Sequence, residues 1–574
     1  MNGIQEVEGS TPFGSTKSLP SALKPAIAWA LAILIAAFAS FVGIGSHGLW
    51  TPDEPRDAAI GKAMLASGDW LVPRLNGQPF LEKPPLGWWA MALGYRALGT
   101  SDAVARVASG GFSLATLLLV FAVARRQAGD VAGLLALAVL STTAQFSADM
   151  HRAIVDPPLV LFIAVAHVAI YACRAAATRR GGALAVTAAA IAIALAFLAK
   201  GWIGPILGGG PPAIAWLVVD RRRAIRPLVR VGLASVLGLA LVGLPWALAL
   251  ERAAGWPALR ETLVANALDR IFRTAQGRKL GHQQPIWYYL EMAPVAILPW
   301  LLALPAFLRA RPWRGPHGDA VRFFGLAALA GVVLLSLPSG KRALYLVPLL
   351  PSLALALGLW LAGIDGDARD GWARAARASL LGGAALLPLL LWGVTAYASR
   401  GAAHGVLALW AARWSGAGLL AFGIGAVLWA AGLGAYGWRM SRQRRPAAML
   451  TLALLYLVLF GAVHSALAAA IDPLKDLHAL TAELSRQVPG DGPILAYQAN
   501  ESLLGIVQFD LGRRVDVLAG PEDLAARLAG DPAGRVALQV EQWRKLPESL
   551  RAGLRLVYDE TGRRASPYAI AAAR

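Results

Sequence analysis

Residues 182–199, GALAVTAAAIAIALAFLA, form a run of apolar and small side chains without a single charge. A helix rises about 1.5 Å per residue, so a run of this length nearly crosses the ~30 Å hydrocarbon core of a bilayer. Similar runs recur along most of the 574-residue chain, which is 57% hydrophobic and has a mean hydropathy of +0.54. This composition excludes the soluble globular class and predicts an all-α polytopic membrane protein.

About thirteen membrane spans are predicted from these runs. They lie near residues 27–45, 103–124, 129–147, 157–173, 182–199, 203–219, 231–250, 294–308, 322–337, 343–362, 378–397, 412–436 and 447–470. The first span has no convincing cleavage site, so we expect an uncleaved anchor rather than a signal peptide. The transmembrane domain then covers about residues 27–472.

The orientation of the spans follows from arginines that cluster in alternate short loops, such as residues 221–230 and 439–445. Cytoplasmic loops are enriched in Lys and Arg, so these loops and the N-terminal segment 1–26 are predicted to lie in the cytoplasm. The first loop, residues 46–102, and the tail, residues 473–574, then face outward. The cytoplasmic loops account for most of the net charge of +20, so this charge gives no argument for a nucleic-acid partner.

The tail has a different character from the apolar region before it. Helical stretches such as LHALTAELSRQV alternate with short strand-like runs, GPILAYQ, RRVDVLAG, RVALQVE and LRLVYDE. This alternation predicts a small α/β domain over residues 473–574. No catalytic spacing is found in it, so a lid, a scaffold and a docking surface for an acceptor all remain open as its role.

Redox and metal chemistry have few candidate residues. Cys173 is the only cysteine, which excludes a disulfide and a thiolate metal site. Among the eight histidines, only His282 lies in a long outward loop and is considered as a metal ligand.

The first loop contains the stretch that is most informative for function, residues 50–89, WTPDEPRDAAIGKAMLASGDWLVPRLNGQPFLEKPPLGWW. It is too polar to span a bilayer, yet it is rich in Trp and Pro and dense in charge. The TPDE segment, residues 51–54, predicts a helix start with a capping box, and we expect that helix to end at residues 67–68 and to lie on the membrane surface. Capping explains Glu54, whereas it does not need Asp53, which is therefore predicted to be functional.

Several basic residues are expected on the outward side, where topology gives no reason for them. These are Lys83 before two prolines, Lys200 at the end of a span, Arg270 in NALDRIF, and Lys341 and Arg342 in SGKRALYLVP near Tyr345. Each alone could snorkel or pair with lipid headgroups, but several together favour a receptor for a phosphate carried by a lipid. Asp156 and Asp149 either cap helices or belong to the same site.

These segments together resemble a known family. The first loop, with AIVDPPLVLF, AFLAKGWIGPIL, NALDRIF, HQQPIWYYLEMAPVAILPW and SGKRALYLVPLLPSLAL, resembles the membrane glycosyltransferases that use polyprenyl-phosphate sugars. Within that superfamily the chain is most similar to the bacterial lipid A aminoarabinose transferases and their relatives among the protein O-mannosyltransferases. The resemblance covers about residues 27–362, and its specific part is Asp-Glu-x-Arg followed by Glu-Lys-Pro-Pro.

The resemblance implies a GT-C fold in a bacterial inner membrane. In that fold a transmembrane bundle, juxtamembrane helices of the first loop and a periplasmic domain surround an outward cavity, which takes an undecaprenyl-phosphate-linked sugar. Asp53 matches the catalytic aspartate of the family. Arg56 is its neighbour in the motif and is expected to bind the donor phosphate.

Further positions are assigned only by the resemblance. Lys83, Arg270 and Tyr345 match residues that hold the donor phosphate. Asp156 matches an acidic residue near Lys83 and is, with Asp53, the second predicted catalytic residue. Glu82 corresponds to a position for a divalent cation, with a loop histidine as a partner ligand. Lys200, Asp149, Lys341 and Arg342 are the remaining substrate-binding candidates.

Three functional interpretations remain open at this point. The first is transfer of 4-amino-4-deoxy-L-arabinose, or another amino sugar, to lipid A, and the second is transfer from the same kind of donor to a protein or another envelope acceptor. In both, the family implies inversion by direct displacement, with Asp53 as a general base for a hydroxyl acceptor or as a positioning residue for a phosphate acceptor. A carrier or flippase predicts mid-span charges and a two-fold repeat of helices, neither of which the sequence shows.

Overall fold

A computed structural model gives the fold and describes residues 24–265, 283–363, 371–397, 416–440, 454–461, 468–531, 533–561 and 567–574. The apolar runs form helices because a helix satisfies its own backbone groups where no water can do so. Before the tail the elements are α1 (Pro25–Phe41), α2 (Glu54–Ser67), β1 (Arg74–Leu75), β2 (Gln78–Pro79), α3 (Leu86–Leu98), α4 (Asp102–Ala128), α5 (Asp130–Ser141), α6 (Ala144–Asp149), α7 (Asp156–Arg174), α8 (Arg179–Lys200), α9 (Ile203–Asp220), α10 (Ile225–Arg260), α11 (Tyr288–Ala296), α12 (Leu304–Ala310), α13 (Gly318–Ser336), α14 (Leu350–Ala362), α15 (Gly371–Tyr397) and α16 (Gly416–Met440).

The helices confirm a polytopic membrane fold. Among the described residues, six helical segments are long and apolar enough to cross a membrane, and a seventh is obtained if Tyr288–Ala296 and Trp300–Ala310, bent by 97°, count as one span. Shorter apolar helices include α1 and α5. The predicted number of about thirteen spans therefore exceeds what the described helices establish by length and composition.

The predicted span at residues 129–147 is wrong as a continuous helix. The chain leaves α5 at two threonines whose hydroxyls donate to carbonyls one turn earlier, Thr142 to Ala138 at 2.6 Å and Thr143 to Val139 at 2.7 Å. Such back-bonding competes with the helical ladder and bends helices. The indole of Trp300 donates to the Thr142 hydroxyl at 3.0 Å, which holds the break in place. The short helix α6 follows and leads into the loop at residues 150–155.

Helix α2 of the first loop differs from its predicted start. It begins at Glu54 rather than near residue 51, with Asp53 at the N-cap position, and it ends as expected at Gly68, whose φ of 70° suits a glycine C-cap. Its apolar face, including Ile60 and Met64, is fully buried. The face packs in one core with α3 and with the tail, so these apolar side chains contact protein, and the position of the helix at the membrane surface stays a prediction.

The tail folds into a C-terminal unit, residues 468–574, built around a mixed sheet. Its elements are α17 (Ala468–Lys475), α18 (His478–Gln487), β3 (Ile494–Tyr497), α19 (Glu501–Leu511), β4 (Val515–Leu518), α20 (Pro521–Gly530), β5 (Arg535–Gln539), α21 (Val540–Lys545), α22 (Glu548–Ala552), β6 (Leu554–Asp559) and β7 (Tyr568–Ala573). The strand order is β4-β3-β5-β7-β6, parallel at β3 and antiparallel at β7. Strand β7 was not predicted because its AIAAA segment is rich in alanine, a helix former.

Helix α19 of the C-terminal unit packs directly on α2. A Cβ atom at Gly505 would lie 2.5 Å from the carbonyl carbon of Pro55, so only glycine permits this approach of the two backbones. The Ser502 hydroxyl donates to the Pro52 carbonyl at 2.9 Å, and the Lys62 ammonium donates to the Phe509 carbonyl at 2.5 Å. The C-terminal unit therefore supports the helix that begins at the predicted site.

A second joint connects the C-terminal unit to the start of α4. The His478 ring lies 3.4 Å from a carboxylate oxygen of Asp102, 3.3 Å from one of Asp510, and against Asp476. Burial alone would lower the pKa of His478, but these carboxylates outweigh it and raise the pKa to about 10. The imidazolium thus joins the two parts of the molecule by charge.

Candidate active site

Glu54 is the buried anchor of the site rather than only a capping residue. Its carboxylate accepts hydrogen bonds from both Nε and Nη2 of Arg106, each at 2.9 Å, and both side chains are fully buried. It also accepts the backbone N–H groups of Trp50 at 2.8 Å and Ala153 at 2.7 Å. Burial would raise the pKa of Glu54, but the charge of Arg106 lowers it to about 2. The prediction that capping accounts for Glu54 is therefore incomplete, because this carboxylate ties α2 to α4 and to the loop at residues 150–155.

Asp53, next to this anchor, gathers three arginines. Its Oδ2 accepts from Arg342 at 2.8 Å and from Arg152 at 3.3 Å, while Oδ1 accepts from Arg56 at 3.4 Å. Burial would raise the pKa of Asp53, but the Arg342 hydrogen bond and the three positive charges hold it well below its usual range. Asp53 is therefore an ionised carboxylate and a weak base at neutral pH.

Arg56 is surrounded by carboxylates. It donates to Glu501 at 2.7 Å and to Asp57 at 3.1 Å, besides Asp53, and its guanidinium lies 5.5 Å from the centre of the Phe80 ring. This saturation makes Arg56 a residue that positions Asp53 and leaves little of it to bind the donor phosphate, which the resemblance implied. The Glu501 contact also brings a carboxylate of the C-terminal unit to the edge of the site, although the tail showed no catalytic spacing.

Arg152 was missed by the sequence reasoning. It lies in the HRAIVDPP segment between Asp149 and Asp156, two residues that were both considered. The Ser109 hydroxyl donates to the Arg152 carbonyl at 2.7 Å, and the next residue, Ala153, donates its N–H to Glu54. These two bonds fix the loop so that the Arg152 side chain meets Asp53. A basic residue flanked by two acidic candidates is a signal that could have identified it.

Lys83 is the cation that stands apart from these pairs. It is half-buried, and within the described part of the chain it forms no hydrogen bond or ion pair. Burial, followed by the positive charge of Arg56, lowers the pKa of Lys83. A desolvated cation beside other cations gains strongly from an anionic ligand, so the role of Lys83 as a phosphate receptor stays a prediction.

Lys200, Asp156 and Tyr345 meet at the polar end of a cavity of about 160 Å³. The Lys200 ammonium pairs with the Asp156 carboxylate and lies 4.7 Å from the centre of the Tyr345 ring. Glu82 and Pro84, on either side of Lys83, also line this cavity. Its apolar wall consists of Leu159, Ile203, Ile206, Leu207, Leu334 and Leu335, which belong to α7, α9 and α13. A charged end and an aliphatic wall suit a lipid phosphate with its hydrocarbon chain.

The other predicted residues have different places. Asp149 is buried, accepts from Gln145 at 2.5 Å and lies 3.5 Å from Arg152, and burial raises its pKa. Lys341 is buried and donates to the Gln284 carbonyl at 3.1 Å, so it holds the loop that carries Arg342. None of these three contacts involves Asp53 directly.

Arg270 and His282 lie outside the described residues. In the part of the chain that the structure describes, no group of three or more His, Cys, Asp or Glu side chains is arranged to hold a metal ion.

Comparisons with known proteins point to one kind of chemistry. Residues 82–246 match the family described as dolichyl-phosphate-mannose-protein mannosyltransferase. An undecaprenyl phosphate-alpha-4-amino-4-deoxy-L-arabinose arabinosyl transferase of Pseudomonas paraeruginosa is 33% identical over 342 residues, 58% of this chain and 59% of that protein. A relative of the same name from Edwardsiella ictaluri is 30% identical over 412 residues, 65% of this chain and 71% of that protein. The chain thus spans 59% of the length of the Pseudomonas relative.

The overall fold matches a solved structure over nearly its whole length. The crystal structure of ArnT from Cupriavidus metallidurans bound to undecaprenyl phosphate superposes with a TM-score of 0.74 and covers 96% of this chain and 98% of that one, at 18% sequence identity. At this identity the match establishes the polytopic GT-C membrane fold and no role for individual residues.

Proposed function

The chain belongs to the family of the undecaprenyl phosphate-alpha-4-amino-4-deoxy-L-arabinose arabinosyl transferases, and on that premise we propose that it transfers 4-amino-4-deoxy-L-arabinose from undecaprenyl phosphate to a phosphate of lipid A. The reaction takes place on the periplasmic side of the inner membrane, where the basic-loop pattern directs the first loop and the C-terminal unit. The donor phosphate binds at Lys83, and its polyprenyl chain extends along the aliphatic wall of the neighbouring cavity.

The observation that carries this proposal is the position of Lys83. It is a half-buried cation without a protein partner among the described residues, and its two neighbours line an amphipathic cavity at the end of the helical bundle. A lysine on a solvated face would bind water, and a structural lysine would pair with an acid, as Lys200 does with Asp156. Lys83 pairs with no acid among the described residues, which leaves its charge for a lipid phosphate.

The arrangement explains how the glycosyl phosphate would be cleaved. The bond from the anomeric carbon to the phosphate oxygen breaks, its electron pair remains on undecaprenyl phosphate, and an oxygen of the acceptor forms the new bond to that carbon. Lys83 stabilises the negative charge that develops on the leaving phosphate, without any proton transfer. The cations stand in place before the reaction, so little reorganisation is needed as the charge builds.

The state of Asp53 favours a phosphate acceptor over a hydroxyl acceptor. A hydroxyl nucleophile needs a general base, and a carboxylate with a pKa far below 7 removes protons poorly. A phosphate is already an anion and needs no base. Asp53 then acts by holding Arg56, Arg152 and Arg342 in fixed positions.

The proposal is tested by expressing the full chain in bacteria that supply the aminoarabinose donor but have no transferase for it, and by measuring lipid A mass. We expect a pentosamine added to lipid A with the wild-type chain, at least about tenfold less with Lys83→Ala, and no loss with Lys545→Ala on the exposed face of the C-terminal unit. Lipid A of unchanged mass in the presence of folded wild-type protein would refute the proposed function. Transfer by Lys83→Ala at the wild-type rate would remove Lys83 from the donor site.

A further inference from the structure

We infer that Arg152 and Arg342 together bind the phosphate of the acceptor, with Asp53 as the shared carboxylate that holds the two guanidinium groups side by side. This inference rests on the proposed function and adds to it the residues that recognise the second substrate. Arg152 carried no prediction from the sequence, and Arg342 was only a general candidate.

The first argument is convergence on one oxygen atom. Arg342 at 2.8 Å and Arg152 at 3.3 Å both donate to Asp53 Oδ2, so two positive groups from distant parts of the chain are held close together. One carboxylate offsets only one of the two charges. Another anion that bridges the pair would relieve their mutual repulsion, and a phosphate with three oxygen acceptors suits two guanidinium groups.

The nearest other carboxylate does not complete this charge balance. Asp149 pairs with Arg152 at 3.5 Å, and burial raises its pKa. Its described ion pair is with Arg152 and not with Arg342, so it does not supply the counter-charge for Arg342. Arg342 makes its described side-chain hydrogen bond to Asp53 alone, which occupies one of the five N–H donors of a guanidinium.

The second argument is exposure, compared among the arginines of the site. The Arg106 side chain is 0% exposed, and its donors are taken by Glu54 and by backbone carbonyls. Arg56 is 8% exposed and is surrounded by carboxylates. Arg152 and Arg342 keep 22% and 27% of their side-chain surface accessible. The two arginines that share Asp53 Oδ2 are therefore the two that can still receive a ligand.

The third argument is that the pair is rigidly supported. The Arg152 backbone is fixed by Ser109, and the adjacent Ala153 is fixed by the buried Glu54. On the other side, the Tyr289 hydroxyl donates to the Arg342 carbonyl at 3.3 Å, and Lys341 is anchored to Gln284. A binding site whose residues are held before the ligand arrives loses less entropy on binding.

The pair is also distinct from the donor cation. Lys83 is influenced by Arg56 and Lys200, whereas Arg152 and Arg342 act on Asp53. Two separate anion sites, Lys83 for the donor and the Arg152–Arg342 pair for the acceptor, would hold both phosphates of a phosphate-to-phosphate transfer. A transferase with a hydroxyl acceptor would need only one.

The test compares equilibrium binding of two probes to the purified full chain in detergent, apart from any transfer. The first probe is lipid A with and without its phosphates, and the second is undecaprenyl phosphate. In the wild type we expect phosphorylated lipid A to bind at least about tenfold more tightly than the dephosphorylated form, a preference that Arg152→Gln or Arg342→Gln removes and Arg152→Lys keeps in part. Affinity for undecaprenyl phosphate should change less than about twofold in all variants.

Arg74→Gln is the matched control. Arg74 lies in the same loop as Asp53, is 40% exposed and contacts Asp69 at 3.5 Å, so its loss should leave both affinities unchanged. The two glutamine variants come from different segments, so at least one measurement remains if the other variant does not fold. An unchanged preference for phosphorylated lipid A in either folded variant overturns the inference, and so does a selective loss of undecaprenyl phosphate binding.

Failure of this inference and failure of the proposed function can be told apart. If the wild type adds a pentosamine to lipid A but Arg152→Gln keeps the phosphate preference, the function stands and the acceptor site is wrong. If the preference depends on Arg152 but no pentosamine is transferred, the anion site stands and the assigned reaction is wrong.

Discussion

Two regions of the site differ sharply although their carboxylates are neighbours in the chain. The Glu54 region is closed: Glu54 and Arg106 are both fully buried, their two hydrogen bonds are 2.9 Å long, and the remaining acceptor capacity goes to backbone N–H groups. The Asp53 region is open: one carboxylate serves three arginines at 2.8 to 3.4 Å, and two of them remain partly exposed.

The difference separates a structural from a functional arrangement. A buried ion pair that satisfies every donor and acceptor has nothing left for a ligand, and removing one partner leaves an uncompensated charge. A cluster with more cations than its shared carboxylate can satisfy retains the capacity to bind an anion. The closed region thus holds the backbone from which the open region presents its side chains.

The largest effect is expected from breaking the closed region with Glu54→Gln. The neutral side chain leaves the Arg106 guanidinium buried without its counter-charge, which costs about 3–5 kcal/mol in comparable buried pairs. We expect the unfolding midpoint of the purified protein to fall clearly, measured by fluorescence during heating in detergent. Glu541→Gln removes the same charge from an exposed pair with Lys545 and should leave the midpoint unchanged.

An unfolding midpoint of Glu54→Gln equal to that of the wild type would show that Arg106 does not depend on Glu54. The Glu54 region would then not be the structural support that the comparison assigns to it.

The next effect concerns activity, and the change is Asp53→Asn. An asparagine cannot hold two guanidinium groups by charge, so we expect transfer to fall at least about 100-fold. The unfolding midpoint should change less than in Glu54→Gln, because the freed arginines can be hydrated. Lipid A mass spectrometry measures the transfer, and heating of the same preparation measures the midpoint.

The pH dependence sharpens this prediction. The pKa of Asp53 is lowered in the folded protein. The ionised carboxylate therefore contributes its full stabilisation above the ordinary pKa of 3.8, and this stabilisation is lost only as the pH falls through the lowered pKa. We therefore expect no loss of transfer from Asp53 titration between about pH 5 and 8. A transfer rate that rises as a group at Asp53 loses its proton in that range, and that no longer does so in Asp53→Asn, would contradict the assigned role and restore a general base.

The smallest effect is expected at the outer edge of the open region, from Glu501→Gln. Glu501 is 44% exposed, and Arg56 keeps Asp53 and Asp57 as partners, so we expect kcat to fall about two- to fivefold with donor affinity unchanged. Glu522→Gln in the same C-terminal unit is the control. A kcat equal to the wild type would limit the C-terminal unit to supporting the backbone of α2.

Support from the C-terminal unit bears on the open question of its role. The contacts of Gly505 and Ser502 with the residues just before and within α2 favour a scaffold over a lid or a separate docking surface. Deletion of residues 473–574 should then reduce donor binding and acceptor use together.

The helices of the bundle were predictable because a membrane span is a local property. A charge-free run of about twenty residues satisfies its backbone internally and its side chains in lipid, wherever the rest of the chain lies. The exception, the break after α5, depends on two threonine hydroxyls and on Trp300, which is distant in sequence. Asp53 and Lys83 could be identified as candidates because they stand in a recognisable motif.

What the sequence determined by itself is the membrane fold and the loop that carries the chemistry, since both depend on short stretches of residues. The tertiary structure alone decided which charges are partners. Asp53 meets Arg152 across 99 residues and Arg342 across 289, and Arg56 meets Glu501 across 445. An ion pair has no sequence period, and its strength depends on distance and burial that arise only when the chain has packed. For that reason two adjacent acids, alike in the sequence, became a closed structural pair and an open site.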